Sequence, residues 1–377
     1  MKFVRAVVLP VLIVLAVSCA SRPPAFVDPV DQQKLLIEQV IQEALPEIEN
    51  NSLRIKKYFE PREAIVSGSG YSSVADITVK GAFEIDGKKY TVIYNFSDAV
   101  KDEGDMYQIS FCLEDPVNGV SHNDILSWTP AEEEAGLLLS FDDAFFDTWS
   151  AAFDLFDSYG AKVTFFVQGD FQPDSVDEAE ASSEDGSEDD SPRALVKGAA
   201  QFCAEALEKG HCVGFHTVNH FDLRKVTREI FYAETIEAAS VFLKNGIRLN
   251  ALAYPFGFSE QWMRDVLAQA FPVTRGYGTN IRLYHTGIGN SGYIGSTAID
   301  NIIYPDDAKF KNDLLRILLA AKFTGNSVVP FTTHEISDEA QWGITPERLE
   351  YLLKITRELK MKFYTYDDFA ALFSLKR

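Results

Sequence analysis

Apolar strands that alternate with amphipathic helices from about residue 135 onward predict an α/β fold, a distorted (β/α) barrel of about seven units, with a small α+β domain ahead of it. Two observations carry this reading. The first is the rhythm: runs such as Leu137 to Phe141, Lys162 to Val167, His211 to Phe215 and Leu249 to Tyr254 are separated by stretches with helical spacing. The second is the number of repeats, because repeated βα units imply a parallel sheet and about seven of them suggest closure into a barrel. The chain has 377 residues, 46% of them apolar and 12% aromatic, ample for one large core and a small companion.

The elements follow in order. Met1-Lys2-Phe3-Val4-Arg5 is basic, Ala6 to Val17 is almost wholly apolar, and Ser18-Cys19-Ala20 follows, the layout of a secretory signal over 1–18 that is too short to span a bilayer reliably. Cys19 resembles the lipidated first residue of a mature bacterial lipoprotein, with an ordinary cleaved signal as the alternative; Ala16 stands where such sites usually carry Leu. Several acyl chains on Cys19 would tether the protein stably to a membrane. The expected place is therefore periplasmic or at the cell surface. Residues 19–30 read as a tether, and 31–127 as the small α+β domain: Leu35 to Leu45 has helical spacing, and alternating runs at 74–79, 81–85, 90–95 and 107–113 include a hairpin signal at Asp86-Gly87. Its role is not encoded in any motif.

The barrel region, 135–377, continues with helices over 146–158, 194–209, 228–244, 261–269 and 312–321, strands near Val273, at 327–331 and at Phe363, and a last helix opened by Thr345-Pro346. One insert, 171–193, holds nine carboxylates between Asp174 and Asp190 and almost no apolar residues, so it is expected to be a disordered loop. The net charge of −21, or −23 once Lys2 and Arg5 leave with the signal, argues against nucleic acid as a partner. Cys112, Cys203 and Cys212 are too few for a disulfide framework, and buried thiols are expected.

Chemistry-bearing residues fall at strand ends. Asp142-Asp143 closes the first barrel strand, His216 and His220 lie four apart just after another, and His334 ends a third. One carboxylate with two imidazoles is a ligand set that leaves a position open for water or substrate, as in catalytic zinc sites, and a spare carboxylate and a spare histidine remain for proton transfer. Taken singly each is weak: an Asp-Asp pair is most often a solvated turn and a lone histidine usually a satisfied core residue.

Together the segments resemble the polysaccharide deacetylases, the NodB-like carbohydrate esterases of family 4. Ser140-Phe141-Asp142-Asp143 is similar to their T-F-D-D motif, Val163 to Val167 to their A-T-F-F-V strand, Gly210 to His220 to their G-H-E-I-G-N-H-T-x-x-H segment, and Tyr254-Pro255-Phe256-Gly257 to their third motif. The strand 328–334 resembles the one that ends in their late histidine. The resemblance implies metal-dependent deacetylation of an acetylated polysaccharide, of peptidoglycan or exopolysaccharide N-acetylglucosamine type. Asp142 would be the general base, Asp143, His216 and His220 the ligands of a divalent metal, zinc first with cobalt or nickel as alternatives, Phe256 the backbone oxyanion donor, and His334 the general acid. An O-acetyl polysaccharide esterase and a catalytically weak glycan-binding surface lipoprotein are the alternatives.

Two positions depart from the family pattern. Ala253 stands where the third motif usually begins with the Arg that pairs with the base, leaving Arg275 or Arg282 to substitute from another loop. Asp300 is the candidate for the carboxylate that tunes the late histidine, without the usual Trp nearby in sequence. Trp342 is a candidate sugar-stacking wall or a packed loop aromatic. His211 reads as structural, and His285 as a lesser candidate for the cleft.

Overall fold

The computed structural model describes residues 59–67, 76–85, 88–101, 104, 106–114, 121–130, 134–171, 198–278, 284–285, 292–325 and 327–374. The signal segment, Cys19, the helix expected near 35–45, most of the acidic insert and Arg282 lie outside them. Among the described residues no helix is long and apolar enough to cross a membrane.

Five strands, β1 (Phe59–Ser67), β2 (Asp76–Ile85), β3 (Lys88–Lys101), β4 (Tyr107–Glu114) and β5 (Ser121–Trp128), form an antiparallel meander in the order 1-2-3-4-5. The two runs read at 74–79 and 81–85 are a single strand, and Ile85 pairs with Lys88 across the Asp86-Gly87 hairpin. Alternate residues, Val92, Tyr94 and Phe96 on β3 and Tyr107, Ile109 and Phe111 on β4, are buried on one face, as a half-covered antiparallel sheet requires. Part of the cover is Phe323, whose ring lies 4.6 Å from Tyr94, 5.5 Å from Trp128 and 5.6 Å from Phe96. Phe323 belongs to the helix Asp307–Thr324, apolar all round over its last turns because the barrel takes its other side.

The barrel strands are β6 (Gly136–Asp143), β7 (Thr164–Val167), β8 (Cys212–Phe215), β9 (Ala251–Ala253), β10 (Val273–Tyr277), β12 (Tyr293–Ala298) and β13 (Ser327–Thr333), all parallel, with β13 paired back to β6 to close the ring of seven. β11 (Tyr284–His285) flanks β13 antiparallel. The strand expected at Phe363, Lys362–Tyr364, lies outside the ring: it pairs only with Gly136 to Leu138 on the lower half of β6, while β7 pairs with its upper half, Ser140 to Asp143. The true sixth strand in the ring, β12, escaped the reading because Gly295, Ser296 and Thr297 break its sequence, Tyr-Ile-Gly-Ser-Thr-Ala, and leave no apolar run.

Period-two alternation sorts each barrel strand into an inner and an outer face. Leu138, Phe166, Cys212, Ala251, Ala253, Val273, Ile294 and Val328 pack inside, where Tyr366, Phe369 and Ala370 of the last helix, Tyr366–Ser374, join them. The outer face carries an aromatic cluster in which Phe165 lies 5.1 Å from Trp149, 5.1 Å from Phe202 and 5.5 Å from Phe141. Each such ring, fully buried, contributes roughly 1.5–3 kcal/mol. His211 belongs to this cluster: it stacks on Phe153 at 5.3 Å, its Nδ1 accepts the Val163 N–H, and burial lowers its pKa to about 4. Cys203 and Cys212 are buried thiols, Cys203 pushed up to about 12 by burial.

Candidate active site

The carboxyl ends of the parallel strands gather Asp142, Asp143, His216, His220, Phe256, Asp300 and His334, the end where such barrels carry their chemistry. On β6, Asp142 follows Leu138 and Ser140 on the inner face, so its carboxylate rises from the barrel interior at 1% exposure. Asp143 adopts φ 84°, a left-handed conformation that turns its side chain away from that of its neighbour. Left-handed backbone recurs at Thr217, His220 and Phe256, with φ of 65°, 55° and 57°. Non-glycine residues held this way cost about 1–3 kcal/mol each and mark places where the surroundings over-determine the backbone.

His216 leaves β8 with its ring buried, and its Nδ1 lies 2.9 Å from the Ala253 carbonyl. A carbonyl can only accept, so Nδ1 carries the proton and Nε2 keeps its lone pair free. Nε2 of His216 and Nε2 of His220 lie 3.4 and 3.6 Å from the same oxygen, Oδ1 of Asp143. Burial, reinforced by His216, lowers the His220 pKa to about 4 against the pull of Asp143 and Asp142, so that imidazole is neutral near pH 7. Asp143 is held below the ordinary carboxylate range: burial raises it, but the contact with His216 and the field of His334 outweigh that. The result is three lone-pair donors facing one another, with Asp143 Oδ1 buried and without a hydrogen-bond partner. Such a set is repulsive alone and fits a divalent cation with mixed nitrogen and oxygen ligands.

Beside it stand two more ionisable groups, the Asp142 carboxylate and the His334 imidazole. Asp142 forms a buried ion pair through Oδ2 with Arg275 of β10, while its Oδ1 has no partner. Arg275 is fully buried, and its guanidinium lies 5.2 Å from both the Phe166 and Tyr277 rings. Burial opposes its charge, but Asp142 raises its pKa above the ordinary value. In the parallel register Arg275 is the cross-strand partner of Ala253, so the guanidinium enters from one strand further round the barrel and occupies space that Ala253 leaves.

His334, after β13, directs Nδ1 at Asp300 Oδ1, 3.0 Å away, and Nε2 toward the Tyr277 hydroxyl at 3.5 Å. Burial disfavours its charge, yet Asp300, with help from Asp143 and Asp142, pushes its pKa up to about 9. Asp300 is completely buried and also accepts from Thr333 Oγ1 at 2.8 Å. Two tryptophans flank this histidine, one distant in the chain and one eight residues on: Trp149 Nε1 donates to the His334 carbonyl at 2.8 Å, and the half-exposed Trp342 meets the imidazole edge-on at 6.1 Å.

Phe256 sits in the Pro255–Gly257 turn after β9, half exposed, with its ring 4.6 Å from that of His220. Gly257 makes the turn feasible, because a Cβ there would fall 2.6 Å from the Tyr277 backbone nitrogen. His285, a lesser candidate for the cleft, lies on β11 beside Ser327 at the amino end of β13, the opposite end from His334.

A comparison with curated proteins finds no match. Among solved structures the chain is similar to peptidoglycan deacetylase PdaC from Bacillus subtilis, at 12% identity over 64% of this chain and 93% of that one, with a TM-score of 0.40. It is also similar to the chitin deacetylase of the fungal pathogen Colletotrichum lindemuthianum, at 12% identity over 64% of this chain and 90% of that one, with a TM-score of 0.42. A family 4 carbohydrate esterase from Streptomyces lividans in complex with acetate is 12% identical over 61% of this chain and 91% of that one, with a TM-score of 0.37. Residues 129–271, the span that holds Asp142, Asp143, His216, His220 and Phe256, match the family model described as polysaccharide deacetylase.

Proposed function

We propose that this protein removes acetyl groups from an extracytoplasmic polysaccharide, of the N-acetylglucosamine type found in peptidoglycan or exopolysaccharides, by metal-dependent hydrolysis. The observation that carries the reading is the flanking of one three-ligand cluster by two unlike proton-transfer groups. Asp142 has a free carboxylate oxygen, and His334 holds its proton to about pH 9. Glycan binding alone would need neither.

Asp143, His216 and His220 would hold the divalent ion. Zinc suits the donor set best, with cobalt or nickel as substitutes; when bound, it would supply the Lewis acidity that polarises the acetyl carbonyl and acidifies water. Asp142, oriented by Arg275 through Oδ2, takes the proton of the attacking water at Oδ1. The backbone N–H of Phe256, fixed by the left-handed turn, donates to the oxyanion. His334, kept protonated by Asp300, gives its proton to the departing amine, so acetate and a free amino sugar leave. Trp342, exposed beside His334, offers a face for a pyranose ring. The export signal and lipidation of Cys19 would place this activity outside the cytoplasm and tether it to a membrane.

The test is acetate release from N-acetylglucosamine oligomers and peptidoglycan, after chelation and after adding back Zn²⁺, Co²⁺ or Ni²⁺. Metal-restored release supports the reading. Stoichiometric metal without release from these substrates would redirect it to O-acetyl esters, and an absence of metal binding would overturn it.

A further inference from the structure

The loop that carries His220 has an unusual way of holding its backbone. After β8 the chain leaves the sheet, and the three amides between His216 and the end of the turn find no backbone acceptor. They are taken by side chains: Glu234 Oε2 accepts the N–H of Val218 at 3.1 Å and of Asn219 at 2.8 Å, and Thr217 Oγ1 accepts the N–H of His220 at 3.2 Å. The other oxygen of Glu234 accepts from Asn219 Nδ2 at 2.5 Å. Both ends of the turn, Thr217 and His220, are left-handed, so the loop would relax elsewhere without these restraints.

Glu234 reaches the loop from a distorted helix. The segment that runs from Arg228 to Lys244 changes to a π turn over Ala233–Glu237, and Thr235 Oγ1 donates back to the Phe231 carbonyl at 2.6 Å. Single π turns inside α-helices re-aim side chains and concentrate at functional sites. Here the turn sets a carboxylate at 5% exposure against the backbone of the loop, where its partners are N–H donors. A buried carboxylate spent wholly on a three-residue loop has its reason in where that loop ends, with His220 Nε2 facing Asp143.

We infer that Glu234 is a positioning residue for His220: from its π turn it fixes the 217–220 loop and thereby sets the affinity and geometry of the Asp143–His216–His220 cluster for its metal. The inference rests on the metal-site reading above. Outer partners that orient metal ligands change affinity by about 10–100-fold when removed.

The test is competition for Zn²⁺ against a chromophoric chelator, with the visible absorption of the Co²⁺-loaded protein as a second readout, on the full chain and on E234Q, E234A and H220A. E234Q keeps the volume and one acceptor oxygen, so it is expected to bind Zn²⁺ about tenfold more weakly, with E234A weaker by up to about 100-fold and a cobalt spectrum displaced toward that of H220A. A merely structural role would lower the melting temperature and leave affinity and spectrum alone. Should E234A not fold, E234Q carries the test by itself. Wild-type affinity and spectrum in the folded Glu234 variants would overturn the positioning role and leave the metal site standing. No Zn²⁺ binding by the unmodified chain would overturn both.

Discussion

Arg275→Ala removes the only cation described against a carboxylate that is 1% exposed. Breaking a buried pair from one side costs about 3–5 kcal/mol, because the remaining charge is left uncompensated. For a barrel of this size that is a fall in melting temperature on the order of 10 °C. Without its partner the Asp142 carboxylate loses the group that orients it, which should lower kcat/KM by about 10²–10³. The informative variant is the double one, A253R with Arg275→Ala. Ala253 and Arg275 are register partners on the inner face, and neighbouring strands lie about 4.8 Å apart, so a guanidinium from position 253 can fill the vacated space. It should recover at least about tenfold of the lost activity. Wild-type kcat/KM in Arg275→Ala, or a double variant no better than the single one, would refute the reasoning.

Other outcomes follow from the same geometry. His334 titrates near 9, above its ordinary value, so the stability it contributes is fully present below about pH 6.5 and lost as pH rises through 9. The falling limb of kcat/KM should lie near 9, and Asp300→Asn should move it to lower pH; an unmoved limb would separate Asp300 from the acid. His216→Ala and His220→Ala should lose tightly bound metal and activity together, whereas Asp142→Asn should keep the metal and lose turnover, as metal analysis beside acetate release would read out. Phe323→Ala removes the ring that joins Tyr94, Phe96 and Trp128 to the barrel and should cost about 3–5 kcal/mol, seen as earlier proteolysis of the N-terminal sheet.

What could be read from the residues depended on how local the signal was. Asp142-Asp143, His216 with His220 and the Pro255-Phe256-Gly257 turn each sit within a few residues of a strand end, so sequence order was enough to place them. Asp300 could be suspected but not assigned, because the strand just before it, β12, is broken by Gly295, Ser296 and Thr297 and carries no apolar run. Arg275 was one of two candidates for the missing guanidinium, and only the register of β9 against β10 decides between strand and loop. Glu234 gave no signal at all, since a π turn has no pattern distinct from the helix around it. Trp149, 185 positions from His334 in the chain, meets it only through barrel closure.

That closure has a consequence for how the protein matures. Asp142 lies on β6 and His334 just beyond β13, and these are the first and last strands of the ring, joined along a seam where Phe141 pairs with Thr333 and Ser140 meets Thr332 at 2.9 Å. Some 192 positions of chain must be made and folded before the two groups can face each other. An intermediate in which β13 has not yet docked on β6 has an open edge and lacks His334 opposite Asp142, so the proposed hydrolysis would not begin on a partly closed barrel. Turnover therefore doubles as a readout of ring completion, and seam pairings of such long range predict slow final assembly.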